Sequence, residues 1–337
     1  MKKRAIAALG FLAAISASPV AQADPVEDFY KGRQIKAIVG NPAGSDYDNW
    51  MRLMTRHWGR FIPGKPTFIV VNMPGAGQII AANHVANLAD RDGSVVAFTE
   101  RAIPYLVLTG DKNIRFDPRD LNWIGSPELT NRTCVAIKGA PVQTAEELFE
   151  KELIVGGAGA GTSVTNTPIL LSRLLGMKFK LIEGYGSADA VILAMERGEV
   201  QGICQTVGGI SRGHPDAFSS GKFKPLFTME HEPVPGLNAP IIYKFTKNEE
   251  QNQVISFYNS SLELGRPVVT TPGVPAERVE ALRRSFDAMM VDKEFLDEAK
   301  RLGFDITLRK GEHLQQVVHE LMNTKPEIIK RAADLMR

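Results

Sequence analysis

The sequence predicts an α/β protein built from two similar halves. Short apolar runs alternate with amphipathic segments of helical length, and this alternation restarts after Trp123. Glycine- and hydroxyl-rich loops stand between several of the strands and the helices that follow them. Such alternation is typical of largely parallel sheets that are covered by helices. We therefore expect two open sheets with helices packed on their faces.

The first 23 residues have the pattern of a secretory signal. A basic start at residues 2–4 precedes an apolar stretch at residues 5–17, and Ala21-Gln22-Ala23 provides a cleavage site before Asp24. The apolar stretch is too short to span a bilayer. We expect cleavage after Ala23 and export of the product; an uncleaved membrane anchor is the alternative.

Charge and ligand spacing exclude several classes of function. The 337 residues include 40 basic and 38 acidic ones, and removal of the signal deletes three cations, so the mature chain is close to neutral. A nearly neutral chain without a polybasic run gives no indication of nucleic-acid binding. The six histidines are scattered and the two cysteines are far apart, so we expect no metal and no cofactor.

The two cysteines lie in apolar, strand-like runs. Cys134 is part of the run at residues 133–137, and Cys204 ends the run at residues 200–204. Buried thiols serve as small core hydrophobes, whereas an oxidising compartment also permits a disulfide. The sequence leaves both states open.

The first half is predicted as a β-α-β-α-β unit. Its segments are a strand at 34–40, a helix whose apolar face holds Trp50, Leu53, Met54, Trp58 and Phe61, a strand at 68–71, a helix near 79–89 and a strand at 94–98. Asp46 or Asp48 is expected to cap the first of these helices, because a carboxylate can accept from the first backbone amides.

The second half repeats this pattern, and the chain then becomes helical. Strands are predicted at 133–138, 153–155 and 179–182, with helices near 144–151, after 163 with Pro168 in its first turn and Gly176 as its stop, and from about 188 to Gly198. From residue 271 the apolar stripes indicate consecutive helices, the first of which starts at Pro275.

Three loops are candidate anion-binding segments: residues 41–48, 156–163 and 184–187. A helix that starts after such a loop has unpaired backbone amides at the positive end of its dipole, which can bind an anion without lysine or arginine. The hydroxyls of Ser45, Thr162, Ser163 and Ser187 would add donors. The alternative is that the glycines form tight turns and the hydroxyls only cap helices.

Two enzymatic interpretations fit the same loops less well. The second loop has the glycine spacing of a P-loop, but Thr162 stands where the phosphate-binding lysine is needed. The dinucleotide-binding motif also fails, because Thr162 stands where its third glycine is needed. Ser163 could be the nucleophile of an exported serine hydrolase with His214 or His231 as base. However, the segment lacks the second glycine of a nucleophile elbow.

Six segments, taken in order, resemble those of one bacterial family. They are Pro42-Ala43-Gly44-Ser45-Asp46-Tyr47-Asp48 with Arg52 after it, Asn72-Met73-Pro74-Gly75-Ala76-Gly77, Asp92-Gly93, Gly159-Ala160-Gly161-Thr162, Gly198-Glu199-Val200-Gln201 and Thr271-Pro272-Gly273-Val274-Pro275. Over essentially the whole mature chain, the sequence resembles the Bug family, the solute-binding receptor component of tripartite tricarboxylate transporters.

This resemblance implies a type II periplasmic-binding-protein fold, with two Rossmann-like lobes joined by a hinge. Lobe 1 would comprise residues 24–126 and 253–337, and lobe 2 residues 127–252. The implied protein is a periplasmic receptor and not an enzyme. It would act as a monomer that captures a small carboxylate between its lobes and delivers it to integral-membrane subunits.

The resemblance also implies a set of ligand-binding residues. Lobe 1 would contribute Ala43, Gly44, Ser45 and Asp48, and lobe 2 would contribute Gly159, Ala160, Gly161, Thr162, Ser163, Gly186 and Ser187. After the strand at 94–98 the chain departs from the family pattern with Thr99-Glu100-Arg101, in which Thr99 and Arg101 are further candidate ligand-binding residues. Arg101 could pair with a distal carboxylate; a pair between Glu100 and Arg101 at the surface is the alternative.

Overall fold

A computed structural model describes residues 24–157 and 162–336. The predicted signal and the predicted ligand residues Gly159, Ala160 and Gly161 lie outside the described residues. Among the described helices, none is long and apolar enough to cross a membrane.

The described chain forms two sheets. The first has the order β11-β4-β10-β3-β1-β2. Its strands are β1 (Gln34–Val39), β2 (Thr67–Asn72), β3 (Val95–Phe98), β4 (Asn122–Ser126), β10 (Val268–Thr270) and β11 (Arg309–Lys310). The second has the order β7-β6-β8-β5-β9. Its strands are β5 (Arg132–Ile137), β6 (Leu153–Gly156), β7 (Phe179–Ile182), β8 (Gly202–Thr206) and β9 (Phe223–Thr228).

Twelve α-helices of the described residues surround the sheets. They are α1 (Pro25–Tyr30), α2 (Asp46–Trp58), α3 (Ile79–Asn87), α4 (Ile103–Leu108), α5 (Ser163–Leu175), α6 (Ala188–Glu196), α7 (Val207–Gly213), α8 (Glu249–Glu263), α9 (Ala276–Met290), α10 (Lys293–Arg301), α11 (Gly311–Met322) and α12 (Pro326–Met336).

The strand directions bring one edge of each sheet together. In the first sheet β1, β2 and β3 are parallel, and β4 runs in the same direction because β10 is antiparallel to both β3 and β4. In the second sheet β6, β7 and β8 are parallel, and β5 is antiparallel to β8, with Arg132 opposite Thr206. Residues 127–131 therefore connect the carboxyl edge of the first sheet to the carboxyl edge of the second. Residues 264–267 return the chain to the first edge, where β10 begins.

Each sheet has its own apolar core. Around the first sheet, fully buried Trp50 and Trp58 of α2 pack with Phe286 of α9 and Phe295 of α10. Around the second sheet, the core includes residues of α5, of α8 and of the C-terminal α12. Thus α8 and α12 pack with the core of the second sheet. The predicted lobe limits, which place residues 253–337 in lobe 1, remain a prediction.

The predicted fold class is confirmed, and several elements differ in detail. Both sheets are mixed and not wholly parallel, because β10 and β5 run against their neighbours. The helix expected near 144–151 is only a 3-10 turn at Glu146–Phe149. Pro168 lies inside α5 instead of in its first turn, which begins at Ser163. Gly176 ends α5 with φ of 81°, as predicted.

The two cysteines form a disulfide between neighbouring strands. Cys134 of β5 lies opposite Cys204 of β8, and both are buried. Of the two states that the sequence left open, the structure shows the bridge. The bridge closes a loop between residues that are 70 positions apart, and it therefore restricts the conformations of the unfolded chain.

We expect the double variant Cys134→Ala/Cys204→Ala to be about 2–4 kcal/mol less stable than the oxidised wild type, because it loses this restriction. Chemical denaturation with and without a reductant measures the difference. Reduction should weaken the wild type and leave the double variant unchanged. Two titratable thiols in the unreduced, denatured protein would contradict the bridge.

Candidate functional site

A cavity of about 670 Å³ lies between the two sheets at their carboxyl edges. The first sheet and its connections contribute Arg101, Arg266, residues 302–305 and Thr307, and the second contributes Thr206, Gly208 and Gly209. Residues 128–131 of the connection between the sheets also line it. We call this cavity the cleft. Its volume lies within the range of small-molecule sites in proteins.

The loop after β1 is held by a hydrogen-bond network around Asp48. Asp48 is buried, and its Oδ2 accepts from the Gly44 amide and from Arg52 Nε, both at 2.8 Å. Its Oδ1 accepts from Asn72 Nδ2 at 2.9 Å, and the same amide donates to the Asn41 carbonyl. The carboxylate therefore joins the loop to α2 and to the end of β2.

Ser45, and not an aspartate, caps α2. Its Oγ accepts from the Asp48 amide at 3.3 Å, so the expectation that Asp46 or Asp48 caps this helix is wrong. Gly44 has φ of 80°, a left-handed conformation that glycine adopts without strain. Ala43 and Gly44 are exposed, beside the start of α2. The ligand contacts of Ala43, Gly44, Ser45 and Asp48 remain predictions.

The segment after β3 places Arg101 between the two connections of the sheets. Arg101 Nη1 donates to Thr130 Oγ1 at 3.0 Å and to the Gly265 carbonyl at 3.5 Å. Both partners are uncharged, so no carboxylate neutralises Arg101 through these contacts. Glu100 instead accepts from Gln78 Nε2 and from the Ala102 amide. The structure therefore does not show the alternative of a Glu100–Arg101 pair.

Thr99 is buried at the end of β3. Its amide donates to the Pro267 carbonyl at 3.2 Å, and its Oγ1 has no hydrogen-bond partner among the described residues. Gln78 is also buried, and its Oε1 likewise has none. Buried polar atoms are usually hydrogen-bonded, so this edge of the first sheet has unused hydrogen-bonding capacity.

Arg266 is a residue that the sequence reasoning missed. Its Nε donates to Glu128 at 2.8 Å, its Nη2 binds Asp46, and its guanidinium lies 4.6 Å from the centre of the Tyr47 ring. Burial and the charge of Glu100 raise the pKa of Tyr47 to about 12. Arg266 thus ties both connections of the sheets to the start of α2. The sequence around Arg266 gives no signal for this role. Its partner Asp46 is 220 residues away in the chain, so no local pattern relates the two.

Three helices start at the carboxyl edge of the second sheet, each after a hydroxyl residue. Thr162 accepts from the Thr165 amide at the start of α5, and Ser187 accepts from the Ala190 amide at the start of α6. Thr206 accepts from the Gly209 amide at the start of α7. Thr162 and Ser187, which were predicted as anion donors, are therefore helix caps, and Thr162 Oγ1 also donates to Thr165 Oγ1 at 3.3 Å.

Among the described residues, Arg101 is the one predicted ligand residue that lines the cleft. Thr206, Gly208 and Gly209 line it as well and were missed. The signal for them was present, since Thr206-Val207-Gly208-Gly209 repeats the hydroxyl-and-glycine pattern of the three predicted loops. The ligand contacts of Thr99, Arg101, Thr162, Ser163, Gly186 and Ser187 remain predictions.

The histidines proposed as a base for Ser163 have other partners. His214 Nδ1 lies 3.6 Å from Glu196, and the His231 ring stacks on Tyr243. These contacts do not favour the hydrolase alternative.

A group of possible metal ligands, His57, Asp292 and Glu294, lies where the end of α2 meets the start of α10. Arg60 binds all three: it contacts His57 Nδ1 at 3.1 Å, Asp292 at 2.5 Å and Glu294. The guanidinium therefore occupies the place that a cation would take.

We expect Asp48→Asn to lower the free energy of unfolding by about 1–3 kcal/mol, because it disturbs a buried, charged hydrogen-bond network. Burial opposes ionisation of Asp48, but the hydrogen bonds from Arg52, Gly44 and Asn72 outweigh it and lower its pKa below 3.8. The stability that this carboxylate adds is complete above pH 3.8 and is lost as the pH falls through its folded pKa.

Urea denaturation at pH 7 and near pH 3 measures this effect. The difference between wild type and variant should shrink at the lower pH. Asp189→Asn, at an exposed residue in the first turn of α6, is the matched control and should change stability by less than about 0.5 kcal/mol. Equal losses in the two variants would contradict the role of Asp48.

Comparison with known proteins gives a consistent structural result. No protein-family model matches the sequence, and no curated protein matches it significantly. A TctC solute-binding protein from Polaromonas is 21% identical, with a TM-score of 0.71 over 90% of this chain and 99% of that one. The periplasmic binding protein BugD is 21% identical, with a TM-score of 0.58 over 90% and 98%. MatC from Rhodopseudomonas palustris, solved with bound malate, is 20% identical, with a TM-score of 0.57 over 90% and 99%.

The likeness extends over nearly the full length of each of these proteins, and both sheets take part in it. It confirms the two-lobed architecture that the sequence motifs implied. Over 90% of its length, the chain has the type II periplasmic-binding-protein fold of the TctC and Bug solute-binding proteins.

Proposed function

We propose that this protein is a periplasmic solute-binding receptor that captures a small carboxylate in the cleft. The observation that carries the proposal is Arg101, a cation in the wall of a cavity between two sheets, whose hydrogen-bond partners Thr130 and Gly265 are uncharged. Such a cation is available to pair with a ligand carboxylate. MatC, which shares the fold, was solved with a dicarboxylate.

The starts of α2, α5 and α6 would supply further anion contacts. Each is a helix of at least nine residues at a carboxyl edge, and each has its cap provided by a side-chain hydroxyl. The backbone amides before the capped position point out of the helix, where its dipole favours negative charge. The carboxylate would thus be held by fixed dipoles together with Arg101.

Binding would work through closure of the cleft. We infer that lobe 1 comprises residues 24–126 and 253–337 and lobe 2 residues 127–252, which rotate about the two connections between the sheets. Contacts to the second lobe form only when the lobes approach, so the ligand stabilises the closed arrangement. Integral-membrane subunits of a tripartite tricarboxylate-type transporter would recognise that closed monomer and receive the ligand.

The proposed site of action requires export. The basic and apolar pattern of residues 2–17, with its cleavage site after Ala23, supports delivery of the mature chain to the periplasm. The disulfide between Cys134 and Cys204 also suits an oxidising compartment.

We expect at least one small mono- or dicarboxylate to raise the melting temperature of the mature protein. A ligand that binds only the folded state stabilises it by about 2.7 kcal/mol when present at one hundred times its Kd. Differential scanning fluorimetry with succinate, malate, adipate, citrate and benzoate tests this, followed by calorimetric titration. Their methyl esters are the controls and should have no effect. Stabilisation by the esters alone would contradict a carboxylate site.

We expect Gly186→Val to weaken binding of that carboxylate at least tenfold while leaving the fold intact. Gly186 has no left-handed φ and no atom within 4 Å of an added Cβ, so valine would extend into open space before α6. Gly213→Val, in equally open space at the end of α7, is the matched control and should bind normally. Unchanged affinity of Gly186→Val would exclude residues 184–187 from the site.

A further inference from the structure

The charges in the wall of the cleft differ in whether they are already paired. Among the residues that the structure describes, the charged side chains that line the cleft are Arg101, Arg266, Glu128 and Asp305. Arg266 is bound by Glu128 and by Asp46 outside the lining. Arg101 and Asp305 take part in no ion pair within the described part of the chain. The unpaired charges of the described wall are therefore one cation and one anion.

Asp305 faces away from the core of the first sheet. It lies in the segment between α10 and β11, where Phe304, Ile306 and Leu308 pack against that core. Asp305 and Thr307, which alternate with them, are exposed. Successive side chains of an extended segment point to opposite sides, and the exposure follows this alternation. Since Asp305 also lines the cleft, its carboxylate is directed into that space.

The connection between β4 and β5 holds Arg101 and the segment of Asp305 near one another. Thr130 Oγ1 accepts from Arg101 at 3.0 Å, and the Pro127 carbonyl accepts from the Thr307 amide at 2.9 Å. A chain spans at most about 3.6 Å per residue, so these two anchor residues of the connection are no more than about 11 Å apart. The unpaired cation and the unpaired anion therefore border the same part of the cleft.

Apolar side chains also line the cleft, on the connection and on both of its sides. They are Leu129, Val207, Pro215, Leu302 and Phe304. Leu302 and Phe304 belong to the same segment as Asp305, and Leu302 is 53% exposed. Contact with a hydrocarbon group would remove this apolar surface from water, which is favourable. The wall near Asp305 thus combines a negative charge with apolar surface.

We infer that the cleft is specific for monocarboxylates with an uncharged, largely apolar body and that Asp305 selects against dicarboxylates. This inference rests on the function proposed above and narrows its ligand class. The ligand carboxylate pairs with Arg101, and the body lies against Leu302 and Phe304. A second carboxylate at the far end of the ligand meets the charge of Asp305. Such a repulsive contact lowers the affinity for the wrong ligand and is a common source of specificity.

The test compares acids that differ only at the end away from the first carboxylate. Calorimetric titration of the mature protein with hexanoate, adipate and 6-aminohexanoate measures the effect of a methyl, a carboxylate and an ammonium group on similar six-carbon chains. Benzoate and terephthalate form a second, aromatic pair. We expect the monocarboxylate of at least one pair to bind at least tenfold more tightly than its dicarboxylate.

Two results of these titrations would overturn the inference. The first is a preference below tenfold, or a preference for the dicarboxylate, in both pairs. The second is binding of 6-aminohexanoate at least tenfold more tightly than hexanoate. In that case Asp305 would be the partner of a ligand cation, and the body of the ligand would not be uncharged.

A substitution then tests the role of Asp305. Asp305→Asn removes the charge and nearly keeps the size of the side chain, so it should raise the affinity for the dicarboxylate relative to the monocarboxylate at least threefold. Asp28→Asn, at an exposed residue of α1 that is not among the lining residues, is the matched control and should leave this ratio unchanged. An unchanged ratio in Asp305→Asn would overturn its assignment as the selective residue.

The same titrations separate this inference from the proposed receptor function. If a di- or tricarboxylate binds while hexanoate and benzoate do not, the receptor function stands and the specificity for monocarboxylates is wrong. If no carboxylate binds, both are wrong. Binding of hexanoate or benzoate with the expected preference supports both.

Discussion

The whole architecture depends on where the chain crosses from one sheet to the other. Residues 127–131 leave the carboxyl end of β4 and enter β5 at Arg132, which lies opposite Thr206 at the carboxyl end of β8. Because β5 runs against β8, the crossing joins two carboxyl edges and not a carboxyl edge to an amino edge. Every helix that follows a parallel strand then starts at one of these two carboxyl edges. Open α/β sheets bind ligands at their carboxyl edges, and here two such edges face one another.

The loops at these edges are fixed by buried charge. Asp48 binds the Gly44 amide, and Arg266 binds Asp46 and Glu128, so the start of α2 is joined to both connections between the sheets. Arg266 and Glu128 are both largely buried, and removing one partner of such a pair costs about 3–5 kcal/mol because the other charge is left uncompensated, whereas the pair with the exposed Asp46 contributes less. The start of α2 is therefore held against both connections between the sheets.

The sequence predicted local features well and distant contacts poorly. Periodicity located β1 and α2, and a glycine after an apolar stripe located the end of α5 at Gly176, because these signals lie within one element. The bridge between Cys134 and Cys204 and the partners of Arg266 depend on strand order, which no local pattern encodes. Pro168 shows the reverse effect. Its preference for a first turn did not set the start of α5, because Thr162 caps the helix and Ser163 begins it.

The cleft combines two sources of positive potential. Sequence reasoning indicated that amides at helix starts bind the ligand and that Arg101 could pair with a distal carboxylate, and the structure places Arg101 in the wall of the cleft. The carboxylates of Asp48, Asp46 and Glu128 near the cleft are each bound by an arginine other than Arg101. Positive charge at Arg101 is therefore not cancelled by these neighbours. Arg101 also donates to Thr130 and Gly265, one on each connection, so the side chain that we propose to pair with a carboxylate contacts both connections between the sheets. In the proposed receptor, charge neutralisation by a ligand and movement of the connections would be linked through this single side chain.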